Sequence, residues 1–324
     1  SSAPQRIPVL SYTVRRLFSA IFVILGVLTL VFFSMHLAPG DPIDMLLPPG
    51  VGGRASGELI EQLRARHGLD QPLHTQYLRY VGNALQFDLG QSIRTDRPVT
   101  AEVLRLYPAT IELTLAALLV AALVGVPLGV LAAVHKNSLI DNLTTTVALL
   151  GVSLPHFLLG LLLMLVFALE LGWLPPSGRG EPFTLAGLRH LIMPAATLGV
   201  ATSAIVARLV RSTMLDVLKE DFVRSARAKG LAPRLVVIRH ALRNALLPIV
   251  TVLGLEFGVL LSGAVIAESI FAWPGLGRYL ILAINGKDFP AVQGAVVFIA
   301  GMFVLVNLAV DLLYAALDPR VQYN

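Results

Sequence analysis

The chain has 324 residues, of which 56% are hydrophobic and only 14% charged, with a mean hydropathy of +0.76. No soluble domain of this size carries that composition, so the bilayer is part of its solvent. The formal charge of +5 does not point to nucleic acid, because Lys and Arg gather between the apolar runs, and the absence of cysteine excludes disulfides, iron–sulfur ligation and thiol catalysis within the chain.

A spanning helix needs about 20 predominantly apolar residues. Runs of that kind lie near 17–38, 109–134, 142–169, 191–210, 246–267 and 291–317, which predicts an all-α integral membrane protein with six transmembrane helices. The first run follows Arg15 and Arg16, as a secretory signal would. It is longer than a signal's apolar stretch and reaches Pro39-Gly40 without a small-x-small cleavage pattern, so it reads as a retained span. The expected organisation is a lead and first helix over 1–38, an external loop over 39–108, a five-helix core over 109–317 with a cytoplasmic segment at 208–245, and a tail over 318–324.

Charge sets the orientation. With the N-terminus inside, the cytoplasmic parts hold Arg6, Arg15, Arg16, Lys136, nine Lys or Arg between Arg208 and Arg243, and Arg320. The external loops hold the other eleven, seven of them in a first loop too long for the positive-inside rule to govern. Both termini are therefore expected in the cytoplasm.

In the first external loop, Ser56 is placed to cap a short helix carrying Leu59, Ile60 and Leu63 up to Gly68. After Pro72, residues Leu73, Tyr77, Val81 and Leu85 recur at helical spacing, so a small external helical subdomain is predicted. Pro127 and Pro155 fall inside the second and third runs, where each removes a backbone hydrogen bond and reads as a packing kink or a hinge.

Ionisable residues within spans face protein or water. Glu112 is read in the first turn of the second span, and Asp311 lies one turn after Asn307 in the sixth, both near enough to an interface for snorkelling or a neighbouring-helix bond. Glu256, near the middle of the fifth span, is the one carboxylate at depth. Its expected role is structural, hydrogen-bonded across a helix interface or to cavity water, with a peptide-ammonium ligand or a proton-coupling site as alternatives. Glu256, Ser153 and Pro155 are candidates for a translocation path, and Glu268, Phe271 and Trp273 for an external gate.

The cytoplasmic segment reads as helix, turn, helix. From Thr213 onward Met214, Leu218, Phe222 and Ala226 form one stripe; Gly230 suits the left-handed C′ position and Pro233 the first position of a second helix over 234–245, with Leu235, Ile238 and Leu242 on its apolar face. The same faces would suit an amphipathic hairpin on anionic headgroups. The run Arg224-Ser225-Ala226-Arg227-Ala228-Lys229-Gly230 resembles the signature loop of ABC-importer permeases, with Arg224 and Ser225 in place of the usual Glu-Ala pair. Ala-Arg-Ala-Lys-Gly followed by His240-Ala-Leu-Arg-Asn-Ala-Leu-Leu-Pro248 is similar to the peptide/nickel branch. Leu37-Ala38-Pro39-Gly40-Asp41-Pro42, Gly68-Leu69-Asp70-Gln71-Pro72, Asp88-Leu89-Gly90, Gly172-Trp173-Leu174-Pro175 and Phe271-Ala272-Trp273-Pro274-Gly275-Leu276-Gly277-Arg278 extend the resemblance, in order, to the B-type permease of dipeptide, oligopeptide or glutathione importers.

The resemblance implies a type I ABC-importer permease in a bacterial inner membrane. It implies partnership with a homologous C-type permease, two ATP-binding subunits and an external peptide-binding protein, with ATP and Mg held by the ATPase partners and no cofactor in this chain. It also implies that residues 224 to 230 couple the chain to an ATPase. The residues agree on one point: Lys136, Lys219, Lys229 and Lys287 are the only lysines and none follows a Walker-type Gly to precede Ser or Thr. Two other classes remain in view. A proton-coupled secondary transporter would use Glu256 but has no use for the basic loop, and the two halves of the chain show no internal repeat. An intramembrane protease would need Ser153 with His156 or His190; no His-Glu-x-x-His zinc motif occurs.

Overall fold

The structure, a computed structural model, describes residues 9–37, 57, 61–62, 70–182 and 184–317. The helix expected between Ser56 and Gly68 and the tail after 317 lie outside the described residues. Within them the backbone is helical, with one isolated antiparallel bridge, Gln91 to Pro98. The elements are α1 (Val9–Leu37), α2 (Leu73–Leu85), α3 (Val99–Val134), α4 (Leu139–Ser153) and α5 (His156–Leu163), which passes into π turns at Met164–Glu170. They continue with α6 (Leu185–Val217), α7 (Asp221–Ala228), α8 (Pro233–Ile270, with π turns at Val236–Leu242), α9 (Leu276–Asn285) and α10 (Phe289–Leu317).

Five of these, α1, α3, α6, α8 and α10, are long and apolar enough to cross a membrane among the described residues. The third apolar run, expected as one span, is two helices. Pro155 is not a kink inside a helix: it precedes the first residue of α5, and Leu154 before it is extended, with ψ 123°. Clash with a following proline drives a residue out of the helical region, which is why the break falls there. Pro108, Pro127, Pro194 and Pro248 stay within helices, as membrane helices permit when neighbours meet the freed carbonyls.

The centre of the bundle is the parallel pair α3 and α6. Gly125 and Gly129 lie one turn apart on α3, so the two backbones come close: a Cβ at Gly125 would sit 2.6 Å from the Ser203 carbonyl oxygen, and one at Gly129 2.5 Å from that of Ala207. Small-xxx-small spacing is how apolar helices pack without a hydrophobic drive between them. One core, of Leu113, Ala117, Leu198, Leu260, Ala264 and Trp273, joins α3, α6 and α8 at one end; a second, of Ala121, Val206, Val210, Met214, Ala245 and Ile249, joins the same helices at the other. A third joins the start of α3 to α9 and α10 through Val99, Val103, Leu276, Ala295 and Phe298. On the rim, α1 packs on α10, where Arg16 meets Asp311 at 3.1 Å, a partner on a neighbouring helix as expected for that carboxylate.

Replacing Gly129 by Val must part α3 from α6, since the obstacle is backbone. We expect G129V to lower the thermal stability of the purified protein by roughly 1–3 kcal/mol. Gly26 on α1 has open space where its Cβ would be, so G26V should leave stability nearly unchanged; equal melting temperatures for the two variants would refute this packing.

Candidate coupling segment and translocation residues

The basic segment folds as a small knob between α6 and α8. α6 ends at Val217, and Glu220 is extended with ψ 150°, so the helix expected to continue from Thr213 is interrupted before α7 begins. The interruption resets the phase: Phe222, expected on the inward stripe, is 40% exposed, and Val223 takes its place at 0%. Val223, Ala226 and Val236 form the knob's own core, with Leu218 and Leu231 packed on it.

Gly230 behaves as its position demands. Its φ is +74°, its amide donates to the Arg227 carbonyl at 2.9 Å, and the Leu231 amide donates to the Ala226 carbonyl at 3.4 Å. That pair of bonds, with Leu231 packed back on the helix, is a Schellman cap. The second helix does begin at Pro233, but π turns shift its register. Val236 and Ala241 are buried, while Leu235 and Ile238, read as part of the apolar face, are exposed. α7 and its cap show outward Asp221, Phe222, Arg224, Ser225, Arg227, Ala228 and Lys229, mostly small residues between cations, with Arg224 also meeting Asp221 at 2.7 Å.

Beside the knob, Asp141 receives both Nε and Nη2 of Arg211, at 2.6 and 2.7 Å, and the Asn137 amide at 2.9 Å. This bidentate pair ties the start of α4 to α6. The arginine bond, then the amide, hold the Asp141 carboxyl down at about 2, below its ordinary 3.8.

At the other end of the bundle, Glu268, Phe271 and Trp273 come together inside the packed core, at 0%, 1% and 0% exposure, and line no open face. Glu268 accepts from the Thr110 hydroxyl at 2.7 Å and from the Arg278 amide at 3.0 Å, with the Gly277 amide as a further donor. Thr110 in turn accepts from the Leu276 amide, and Trp273 Nε1 donates to the Ala109 carbonyl at 2.8 Å. The Gly178 amide donates to the Phe271 carbonyl at 2.8 Å, and its neighbour Arg179 pairs with Glu112 through Nε at 2.8 Å and lies 5.8 Å from the Trp273 ring. Glu112 is well inside α3, which starts at Val99, so its charge is met by a partner and not by snorkelling from a first turn.

Of the path candidates, Ser153 ends α4, Pro155 precedes α5 and Glu256 lies on α8; Gly160 of α5 packs beside Phe271, which caps α8. Ser153 and Pro155 are exposed; Glu256 is half-buried, and no described residue gives it a hydrogen bond or ion pair. His190 Nδ1 is engaged with its own helix at the Ala186 carbonyl, 2.8 Å away.

The described residues thus form a polytopic helical body with a capped basic knob between two of its long helices. Residues 125–323 match the family of binding-protein-dependent transport system inner membrane components, and residues 9–114 match the N-terminal region of such membrane components. The chain belongs to this family. It is 45% identical to a di/tripeptide transport system permease of Pseudomonas aeruginosa, over 97% of this chain and 99% of that one. It is 42% identical to the glutathione transport system permease of Escherichia coli strain K12, over 97% and 100%. In fold it is similar to the MetNI methionine ABC transporter in inward-facing conformations, with a TM-score of 0.57 at 18% identity, over 67% of this chain and 96% of that one. The chain is a membrane permease subunit of an ABC importer, a multi-pass inner-membrane protein.

Two outcomes follow from the site. Glu268→Ala strands Thr110 and two amides in the core, at roughly 1–3 kcal/mol per group, so it should cut the yield of folded protein in detergent far more than Glu268→Gln; equal yields would remove the carboxylate from its structural role. Because the folded pKa of Asp141 is depressed, its stabilisation is complete above pH 3.8 and is lost as pH falls toward 2. The melting-temperature gap between wild type and Asp141→Asn should therefore be largest near neutrality and close over that window; a gap independent of pH would refute the pair.

Proposed function

We propose that this chain is the B-type permease of an importer of di- or oligopeptides or a close relative such as glutathione. It would line the path together with a homologous C-type permease. Two ATP-binding subunits, holding ATP and Mg, would supply the work, and an external binding protein would deliver the substrate. The relatives named for di/tripeptide and glutathione transport, similar over nearly the full length, support the substrate class. The four lysines, none in a Walker-type setting, support a motor on other subunits. In this reading α4 and α5 together make the third of six spans, both termini are cytoplasmic, 39–108 is an external subdomain, and 208–245 is the coupling segment.

The observation that carries the coupling assignment is the orientation of α7. An amphipathic hairpin on lipid would turn its apolar side outward; here Val223 and Ala226 are packed into the knob's own core and, although Phe222, Leu235 and Ile238 are exposed, the outward face of α7 is mainly cations and small residues. Small side chains let a groove approach a helix backbone closely, and charge fixes its register. ATP-driven closure of the ATPase pair would then move the knob as a body. α6 enters it and α8 leaves it, so these two would carry the motion toward the Glu268 cluster and open the path alternately to each side. Glu268, Phe271 and Trp273 would gate by displacement of their segment, and Glu256, Ser153 and Pro155 would line the route or the facing permease.

Gly230 offers the test. No atom lies within 4 Å of where its Cβ would be, so a substitution acts through backbone strain alone. Gly230→Val should lose most substrate-stimulated ATPase activity in the assembled complex, with a strain of about 1–2 kcal/mol, while Gly230→Asn, which tolerates the left-handed region, should keep much of it. Full stimulation in a normally assembled G230V complex would refute the docking role.

A further inference from the structure

Neither the coupling reading nor the path uses α2, yet its position is tied to a known height. Tyr77 Oη and Thr29 Oγ1 of α1 are hydrogen-bonded at 2.7 Å, and Phe32 packs edge-on to Tyr77 at 5.4 Å and beside Tyr80 at 5.7 Å. Gln76 Oε1 meets His36 Nε2 at 3.3 Å. α1 continues to Leu37 and no charged residue follows Arg16 before Asp41, so Thr29 lies about 12 Å inside the end of the helix at 1.5 Å per residue. A helix bound there cannot stand clear of the bilayer. It sits at the boundary of headgroups and acyl chains, where amphipathic helices bury about 5–10 Å deep.

The side chains of α2 are sorted for that position. Tyr77, Tyr80 and Ala84 share the face turned to α1, and the sector beside it carries Val81, Leu78 and Leu85, the last two 67% and 66% exposed, with the exposed His74 at its N-terminal end. Arg79 and Asn83 occupy the opposite side and are exposed. The apolar sector is continuous with the lipid-facing surface of α1, whose Leu30 and Phe33 are exposed at the same height, Phe33 stacking on Tyr77 at 6.3 Å. Aromatic residues concentrated at one level of a span mark the membrane–water boundary.

We propose that α2 is an interfacial anchor: its Leu78–Val81–Leu85 sector lies among the acyl chains of the leaflet that holds the C-terminal end of α1, with Arg79 and Asn83 toward water. The partner of this surface is lipid and not a protein. The inference needs only the depth of α1, so it stands whichever side that end faces and whatever the importer carries.

The chain has no cysteine, so single Cys variants report cleanly. Leu78→Cys, Arg79→Cys, Asn83→Cys and Leu85→Cys, each in the full complex in liposomes, would carry a nitroxide whose collision rates with dissolved oxygen and with a water-soluble nickel chelate are compared. The oxygen-to-nickel ratio should be several-fold higher at 78 and 85 than at 79 and 83, and close to that of Phe18→Cys on the exposed face of α1. Equal ratios at all four positions would overturn the proposal. So would low collision rates with both reagents at 78 and 85, in the complex alone or after an external protein is added, because that pattern marks protein contact.

Discussion

The Glu268 carboxylate is the joint on which the arrangement of α3, α8 and α9 depends. A lone buried charge costs several kcal/mol, and here the cost is met by one hydroxyl from α3 and amides at the start of α9, where aligned N–H groups favour an anion. The motif after α8 is the other half of the same joint. A Cβ at Gly275 would fall within the Glu268 carboxylate, Trp273 closes on α3 through its indole N–H, and Arg278 reaches back to the Ala272 carbonyl at 3.0 Å. Ala272 holds φ +49° without being glycine, a strained conformation that persists only where its surroundings impose it.

That joint sits at one end of a stiff unit and the knob at the other. Between them α3 and α6 are locked by backbone proximity at Gly125 and Gly129, so neither helix can slide without lifting whole turns past each other. Asp141 and Arg211 add α4 to the same unit close to the knob. A displacement applied at α7 has little slack to dissipate into before it reaches α6 and α8. Interfaces packed to this density move as discrete bodies and do not deform continuously.

Much of this was legible in the sequence because membrane helices and turn chemistry are local signals. Gly230 announced a positive φ, Pro233 a helix start, and Leu73, Tyr77, Val81 and Leu85 a helix of the right extent. What escaped was non-local or hidden by uniform apolarity. The run 142–169 has no charged residue to mark where it divides, and Pro155 could equally be a kink; the phase reset before α7 moves Val223 into the place read for Phe222. Arg179 meets Glu112 across 67 residues and Arg211 meets Asp141 across 70, spacings that no periodicity encodes. The Gly125-x-x-x-Gly129 spacing, by contrast, was present to be read, and the close crossing it makes lies at the bundle's centre.

Glu256 shows what a single chain leaves unfinished. A carboxylate in mid-span needs a partner, water or a proton, and no described residue gives Glu256 a hydrogen bond or ion pair. Its neighbours Leu255 and Val259 are exposed along α8, so it stands beside a strip that no described residue covers. On the proposed reading that strip faces the second permease and the route between the two. The carboxylate is then completed by the assembled complex.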